Sequence, residues 1–275
     1  MNILVTGHRG FIGQNITKFL TNKGHDVYGF EYYDTKDNMP DLKNIHQVIH
    51  LGAETSTTET DIDLIMEKNY DFSVRLFEEC EKRHIAFQYA SSASVYGLST
   101  SFSESDPCRP LNYYAYSKYM FDRYVESKLK TTPIRVQGFR YFNVYGPHEE
   151  HKRDQASPLT KFNFYAKKGK PIQIFEYSEQ YHRDFVFVGD ICELHLRMLD
   201  VNESGIWNAG TGVTTSFEEV ALMIAEKHGG EVVTIPMPEN LRGSYQAFTR
   251  ANLDKLNRTI KMNWMPVEDY INYEL

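Results

Sequence analysis

Cysteine is scarce in this 275-residue chain: Cys80, Cys108 and Cys192 lie far apart, with no ligand-like spacing among them. That scarcity fits a reducing compartment and leaves no basis for a disulfide framework or a zinc site, so no metal is expected. Long apolar runs are missing as well. No stretch approaches the roughly 18 consecutive apolar residues that mark a membrane span. The chain starts Met1-Asn2-Ile3-Leu4-Val5-Thr6-Gly7, a strand pattern without the basic opening of a signal peptide. These absences point to a cytoplasmic protein without a membrane partner. Positive charge is in deficit: the formal net charge is −7 and no basic stripe is visible, which argues against nucleic acid as a partner. Internal repeats and low-complexity tracts are absent too, and the length suits one large domain or a domain with a smaller appendage.

What the chain does contain is an alternation of short apolar strands and amphipathic helices. Asn2 to Thr6 reads as a buried strand, followed by Gly7-His8-Arg9-Gly10-Phe11-Ile12-Gly13 and a helix with Ile12, Ile16, Phe19 and Leu20 on one face. Gly24 suits the C-cap, and Val27 to Phe30 makes the second strand. Glycines at this spacing let the backbone turn tightly, approach a pyrophosphate and pack helix on strand, while the helix N-terminus offers free N–H groups to phosphate. Framed by strand and helix, the motif predicts dinucleotide binding. Glu31 ends the second strand, where a carboxylate accepts hydrogen bonds from ribose hydroxyls and repels a 2′-phosphate, favouring NAD. Arg9 and Lys36 argue for NADP, since either cation suits a 2′-phosphate, so the cofactor form stays open with a lean to NAD.

The next strand, Val48 to Leu51, ends in Gly52-Ala53, small residues across which a cofactor can lie. His50 is read as packing. Ser56 to Glu59 leads into a long helix carrying Ile62, Ile65, Met66, Phe72 and Leu76, with Asn69 as a polar residue on or beside the apolar face. Phe87 to Ala90 is a fourth strand that delivers Ser91 and Ser92 to its C-terminal end, the ligand side of open parallel sheets. A helix from about Tyr113 to Lys128 follows, then a fifth strand from Ile134 to Phe139. Beyond a polar loop at 148–156, helical and strand patterns alternate: Leu159–Lys168, Ile172–Phe175, Phe185–Val188, Ile191–Leu199, Ile206–Asn208, Phe217–Lys227 and Val232–Ile235. The expected fold is α/β, a Rossmann-like doubly wound parallel sheet with a small, discontinuous C-terminal substrate domain. Residues 1–150 with 184–212 form the first unit, and 151–183 with 213–275 the second.

The chemistry centres on Tyr114 and Lys118, one helical turn apart on the same face. A phenol titrates near pH ~10 in water, too high for a base at neutrality. A nearby ammonium favours the phenolate, and a cationic nicotinamide adds to that effect. With a serine hydroxyl holding the substrate oxygen, the group can remove an alcohol proton while hydride leaves the carbon. Taken alone, a Tyr-x-x-x-Lys spacing is weak and fits a packing aromatic beside a solvated lysine; the surrounding motifs decide for chemistry.

Together, Gly7-x-x-Gly10-x-x-Gly13, Ser91-Ser92-Ala93-Ser94-Val95-Tyr96-Gly97, Tyr114-x-x-x-Lys118 and Phe139-Arg140-Tyr141-Phe142-Asn143-Val144-Tyr145-Gly146-Pro147 resemble the extended short-chain dehydrogenase/reductases, the NAD-dependent nucleotide-sugar epimerases and dehydratases. Ser56 to Glu59, Pro110 to Tyr114, Gly146-Pro147 through His151-Lys152, Arg183 to Val186 and Tyr245 to Thr249 resemble the heptose 6-epimerase branch, whose substrate is ADP-L-glycero-D-manno-heptose. The resemblance implies a homo-oligomeric enzyme that oxidises a nucleotide-diphosphate sugar at C6″, lets the carbonyl turn over and returns hydride to the opposite face. It implies Ser92, Tyr114, Lys118 and Lys152 as the catalytic set, Lys152 serving the second orientation of the carbonyl. The implied cofactor contacts are Gly7, Arg9, Gly10, Phe11, Ile12, Gly13, Glu31, Leu51, Gly52, Ala53 and Asn69, then Tyr114, Lys118, Tyr141, Asn143 and Val144. Ser92, Asn143, Lys152, Ser157, Arg183 and Tyr245 are the implied substrate contacts, Arg183 as a diphosphate clamp. Without the resemblance, Lys152 reads as a solvated loop lysine and Arg183 as one half of a pair with Asp184.

Two departures from the family pattern stand out. Only residues 32–46 separate the second strand from Val48–Leu51, too few for the usual helix–strand–helix unit, so the sheet is expected to be one strand short; the C-terminus is also read as shortened after Asp254. The alternatives are a UDP-hexose 4-epimerase, which needs no Lys152, and, from another class, a non-catalytic NAD-binding module. Ala93 stands where a dehydratase or a GDP-fucose-type enzyme would carry an acid or a cysteine.

Overall fold

A computed structural model describes residues 1–56, 59–239 and 246–275. Its central sheet has six strands, all parallel. In chain order they are β1 (Asn2–Thr6), β2 (Asp26–Phe30), β3 (Gln47–His50), β4 (Ala86–Ser92), β5 (Val136–Tyr141) and the Gly205–Ala209 strand. In space they run Gly205–Ala209, β5, β4, β3, β1, β2. Successive side chains point to opposite faces. Leu4, Val48 and Phe87 thus pack with Phe72, Phe77 and Phe121 on one side, and Ile3, Val5 and Ile49 with Ile16, Leu20 and Cys192 on the other. Helices α3 (Phe72–Arg83) and α4 (Tyr113–Lys128) cover the first face; α1 (Phe11–Asn22) and the Val188–Met198 helix cover the second. This is the expected doubly wound arrangement.

The chain reverses its direction of travel across the sheet at β1, with β2 on one side and β3 on the other. A crevice opens at the C-terminal ends of strands where the order reverses. As expected, residues 32–46 contribute no strand; β2 is the edge, and Tyr28 on it is half exposed.

Boundaries differ from the sequence pattern in two places. β5 starts two residues late and runs on through Arg140 to Tyr141, with every residue buried. Arg140 continues the strand because Asp122 of α4 neutralises it, Nε to Oδ2 at 2.9 Å. The second helix begins later than Glu59: α2 (Ile62–Met66) is capped by Asp61, whose Oδ1 accepts the Leu64 N–H at 3.0 Å. Glu59 instead accepts the N–H groups of Thr60 and Asp61. A π-helical turn, Glu67–Asp71, then joins α2 to α3.

A second core of Tyr145, Leu159, Phe162, Ile172, Val220, Ile224 and Tyr270 is drawn from residues after β5. It holds α5 (Pro158–Lys167), the Phe217–His228 helix and a parallel pair, Ile172–Phe175 with Val232–Ile235.

Two buried histidines make the fold sensitive to acid. His50 and His195 are enclosed, and burial pushes each down to about 3 from the ordinary 6.5. Both are neutral in the folded protein, whereas the unfolded chain takes up protons below pH 6.5. Stability is therefore full above 6.5 and falls as pH drops toward 3, by about 1.4 kcal/mol per pH unit for each histidine. Urea unfolding at pH 7, 6 and 5 should show a falling transition midpoint, offset in part below pH 6 by Asp190, whose carboxyl burial raises to about 6, and His195→Gln should make the fall shallower. A midpoint that stays level between pH 7 and 5 would contradict this.

Candidate active site

The glycine-rich turn after β1 is packed backbone against backbone. Gly7 has φ +68°, and a Cβ there would lie 2.7 Å from the Cα and N of Gly52. A Cβ on Gly13 would lie 2.0 Å from the Gly7 carbonyl oxygen. Any side chain at either position pushes β1, β3 and α1 apart, so the turn leaves room only for a ligand above it. Glu31 closes the turn: its Oε1 accepts the Arg9 N–H at 2.7 Å, and its own N–H donates to Asp34 Oδ2 at 2.9 Å. The Arg9 guanidinium faces Asp34 at 3.4 Å, so its charge is already opposed.

A cleft of about 540 Å³ opens over this turn. Gly7, Gly10, Phe11, Ile12, Gly13 and Glu31 border it at one end, with Leu51, Gly52 and Ala53 beyond β3. Ser91 and Ser92 at the end of β4, Tyr114 and Lys118 of α4, and Tyr141, Asn143 and Val144 after β5 line its middle. Lys152 and Ser157 complete the far wall. Three of the described residues expected at the site do not line it. Arg9 lies against Asp34. Asn69 sits behind the wall, its Nδ2 donating to Ser117 Oγ at 3.0 Å and to the Glu54 carbonyl at 2.9 Å, its Oδ1 accepting the Glu54 N–H at 2.7 Å. Arg183 is on the His182–Arg183 strand, with its guanidinium 5.2 Å from the Phe217 ring centre. Tyr245 falls outside the described residues.

Ser92 and Tyr114 border the cleft together, and Ser92 Oγ accepts from the N–H and hydroxyl of Ser94. Burial pushes the Tyr114 phenol above its ordinary value, and the Ser92 hydroxyl works against that rise. Lys118 donates to the Ala90 carbonyl oxygen at 3.0 Å. Burial lowers it to about 8, with Asp122 pulling the other way. At pH 7 Lys118 is still mostly charged; one unit above pH 8 it is mostly neutral.

One lining residue, Glu149, carried no sequence signal. Glu149 read as one charge in a polar loop, yet it is 1% exposed. Its carboxylate accepts the Ser157 N–H at 2.8 Å, the Ser157 hydroxyl at 2.6 Å and the Thr160 hydroxyl at 2.7 Å, and Lys152 Nζ lies 3.7 Å away. Ser157 is the N-cap of α5, so its hydroxyl is engaged within the protein. Ser91 stands beside Ser92 with its hydroxyl buried and without a hydrogen-bond partner.

The site fits NAD. The cradle at Gly7 and Gly13 excludes any Cβ, and Glu31 stands at the end of β2 on the border of the cleft. When bound, the nicotinamide supplies a hydride acceptor and donor, and its positive charge favours the Tyr114 phenolate. Fold and cleft together define a dinucleotide-binding α/β enzyme. The model of the NAD dependent epimerase/dehydratase family matches residues 3–210, and the chain belongs to that family, with NAD as its cofactor.

Solved structures agree on the architecture. Helicobacter pylori ADP-L-glycero-D-manno-heptose-6-epimerase is 25% identical with TM-score 0.87, over 99% of this chain and 94% of that one. Thermus thermophilus UDP-glucose 4-epimerase, solved with NAD, is 25% identical with TM-score 0.82 over the full length of both. A Methanobrevibacter ruminantium UDP-N-acetylglucosamine 4-epimerase, at 21% identity and TM-score 0.87 over 99% and 97%, shares the fold.

The Glu31–Arg9–Asp34 arrangement generates a prediction about cofactor choice. NAD should bind more tightly than NADP, and Glu31→Ser should narrow the gap by removing the repulsion of a 2′-phosphate. Asp34→Ala should narrow it as well, by freeing the Arg9 guanidinium. Calorimetric titration of cofactor-free protein measures both; tighter NADP binding by the parent would show that Arg9 or Lys36 overrides the carboxylates.

Proposed function

We propose that this enzyme is a nucleotide-sugar epimerase that inverts C6″ of ADP-glycero-manno-heptose. The observation that carries this reading is that one cleft is bordered by both Tyr114 and Lys152, two proton-transfer groups from distant parts of the chain. Lys152 is anchored there, 3.7 Å from the buried Glu149 carboxylate and with its ammonium 5.5 Å from the Phe11 ring centre. The similarity to the H. pylori heptose epimerase supports it.

In this reading Ser92 holds the C6″ oxygen while Tyr114 takes its proton and hydride leaves the carbon. The carbonyl turns over, hydride returns to the opposite face, and Lys152 gives the oxygen its proton. Tyr114 ends protonated and Lys152 neutral, and exchange with solvent restores both. Lys118 keeps the phenol poised by its charge, Asn143 contributes to orienting the sugar, and residues 151–183 with 213–275 form the substrate-binding unit. A homo-oligomer is part of the reading.

A 4-epimerase acting on a UDP-hexose is the second reading, favoured by the full-length match to the T. thermophilus enzyme and by a Ser92–Tyr114 pair that suffices for it. Tyr114→Phe should lower turnover by about a hundredfold or more under either reading, since it deletes the proton acceptor. Lys152→Met separates them. With ADP-heptose it should still reduce bound cofactor in a single turnover yet fail to invert C6″. Normal inversion by that variant removes Lys152 from the mechanism, and inertness of the parent toward ADP-heptose gives first place to the 4-epimerase.

A further inference from the structure

His50 lies among Phe72, Phe87 and Phe121, ring centres 5.5–6.5 Å away, an environment that another aromatic ring would fill at less cost. Both of its nitrogens are nonetheless bonded. Nδ1 is 2.6 Å from Thr6 Oγ1 and Nε2 is 2.8 Å from Ser73 Oγ. The directions follow from the ends of the chain. Ser73 donates its hydroxyl proton to the Asn69 carbonyl oxygen at 2.7 Å, so the hydrogen between Ser73 and the ring belongs to Nε2. The neutral ring then accepts at Nδ1 from the Thr6 hydroxyl, and Thr6 Oγ1 accepts the Gly52 N–H at 3.2 Å. One unbroken, one-directional chain therefore runs from Gly52 to Asn69.

Its two ends matter for the site. Gly52 forms the floor of the cleft, in backbone contact with Gly7. Asn69 sits in the π-helical turn, where the regular hydrogen-bond pattern is interrupted. Its side chain holds Ser117, whose hydroxyl donates to the Tyr114 carbonyl oxygen at 2.8 Å. We propose that His50 is a positioning residue that indexes the π-helical turn, and through Asn69 and Ser117 the Tyr114–Lys118 turn of α4, to the floor on which the cofactor lies. A phenylalanine would preserve the packing and lose the index. This goes beyond the sugar assignment and rests only on Tyr114 being the proton acceptor.

The test compares the parent with His50→Phe, His50→Gln and Ser73→Ala as NAD-bound enzymes. Displacing a reacting group by a fraction of an ångström costs up to about a hundredfold, so His50→Phe and Ser73→Ala should slow single-turnover hydride transfer from ADP-heptose about tenfold or more, with sugar KM and NAD affinity within about twofold of the parent. His50→Gln, which keeps a donor for Ser73, should recover most of the rate. The pH at which Tyr114 ionises, read by ultraviolet difference against each protein's own Tyr114→Phe derivative, should rise in His50→Phe. That readout needs no sugar, so it decides even if the parent proves inert to ADP-heptose, an outcome that would count against the heptose assignment alone. Should His50→Phe fail to fold, Ser73→Ala and the glutamine variant carry the comparison. Parent-like hydride transfer with an unmoved Tyr114 ionisation, or a loss confined to NAD affinity, would overturn the proposal.

Discussion

The backbone contact between Gly7 and Gly52 is the constraint on which the rest of the structure depends. It brings the ends of β1 and β3 close enough that their only common occupant is a ligand above them, at the place where the strand order reverses. The near walls of the cleft rise from that level: Ser91 and Ser92 from the end of β4, Tyr141 and Asn143 from the end of β5, Tyr114 and Lys118 from the helix laid against β4. A side chain at either glycine would move the floor and misalign the walls together.

The polar interior explains how such a site is held. Asp122, one turn beyond Lys118 on α4, is buried with Arg140 of β5; Tyr89 donates to Asp122 and Tyr96 accepts from Arg140. A charge pair with its remaining valences filled costs far less than either charge alone. On the other side of the sheet, Tyr141 is bonded to His195, which is bonded to Gln88, which donates to Gln137. The Tyr141 hydroxyl therefore faces away from the chemistry, and its ring is left as a wall.

Much of this was legible in the chain because the signals are local. Gly7, Gly10 and Gly13, the Ser92 strand end and the Tyr114/Lys118 pair each declare themselves within a few residues, and the short 32–46 segment announced a sheet ending at β2. What was not legible depends on partners distant in sequence. Asn69 suggested a cofactor ligand; it is consumed by Glu54 and Ser117, the second lying 48 residues away. Arg140 hid the length of β5 because its counter-ion is on another element. His50 read as packing, and its packing is real, but Thr6 and Ser73 are 44 and 23 residues off. Ser157 suggested a sugar contact, while its hydroxyl is shared between Glu149 and the start of α5.

Glu149 has a consequence for how the proposed cycle moves. Three hydrogen bonds from Ser157 and Thr160 rivet the turn bearing Lys152 to α5, and α5 is rooted through Leu159 and Phe162 in the second core. The backbone that carries Lys152 cannot shift without carrying a whole packed layer, so its ammonium moves only by rotation of its own side chain, whereas a sugar tethered by its diphosphate has free bonds about which to pivot. In the proposed cycle the protein then acts as a stationary frame that carries two proton stations, and the substrate makes the larger movement.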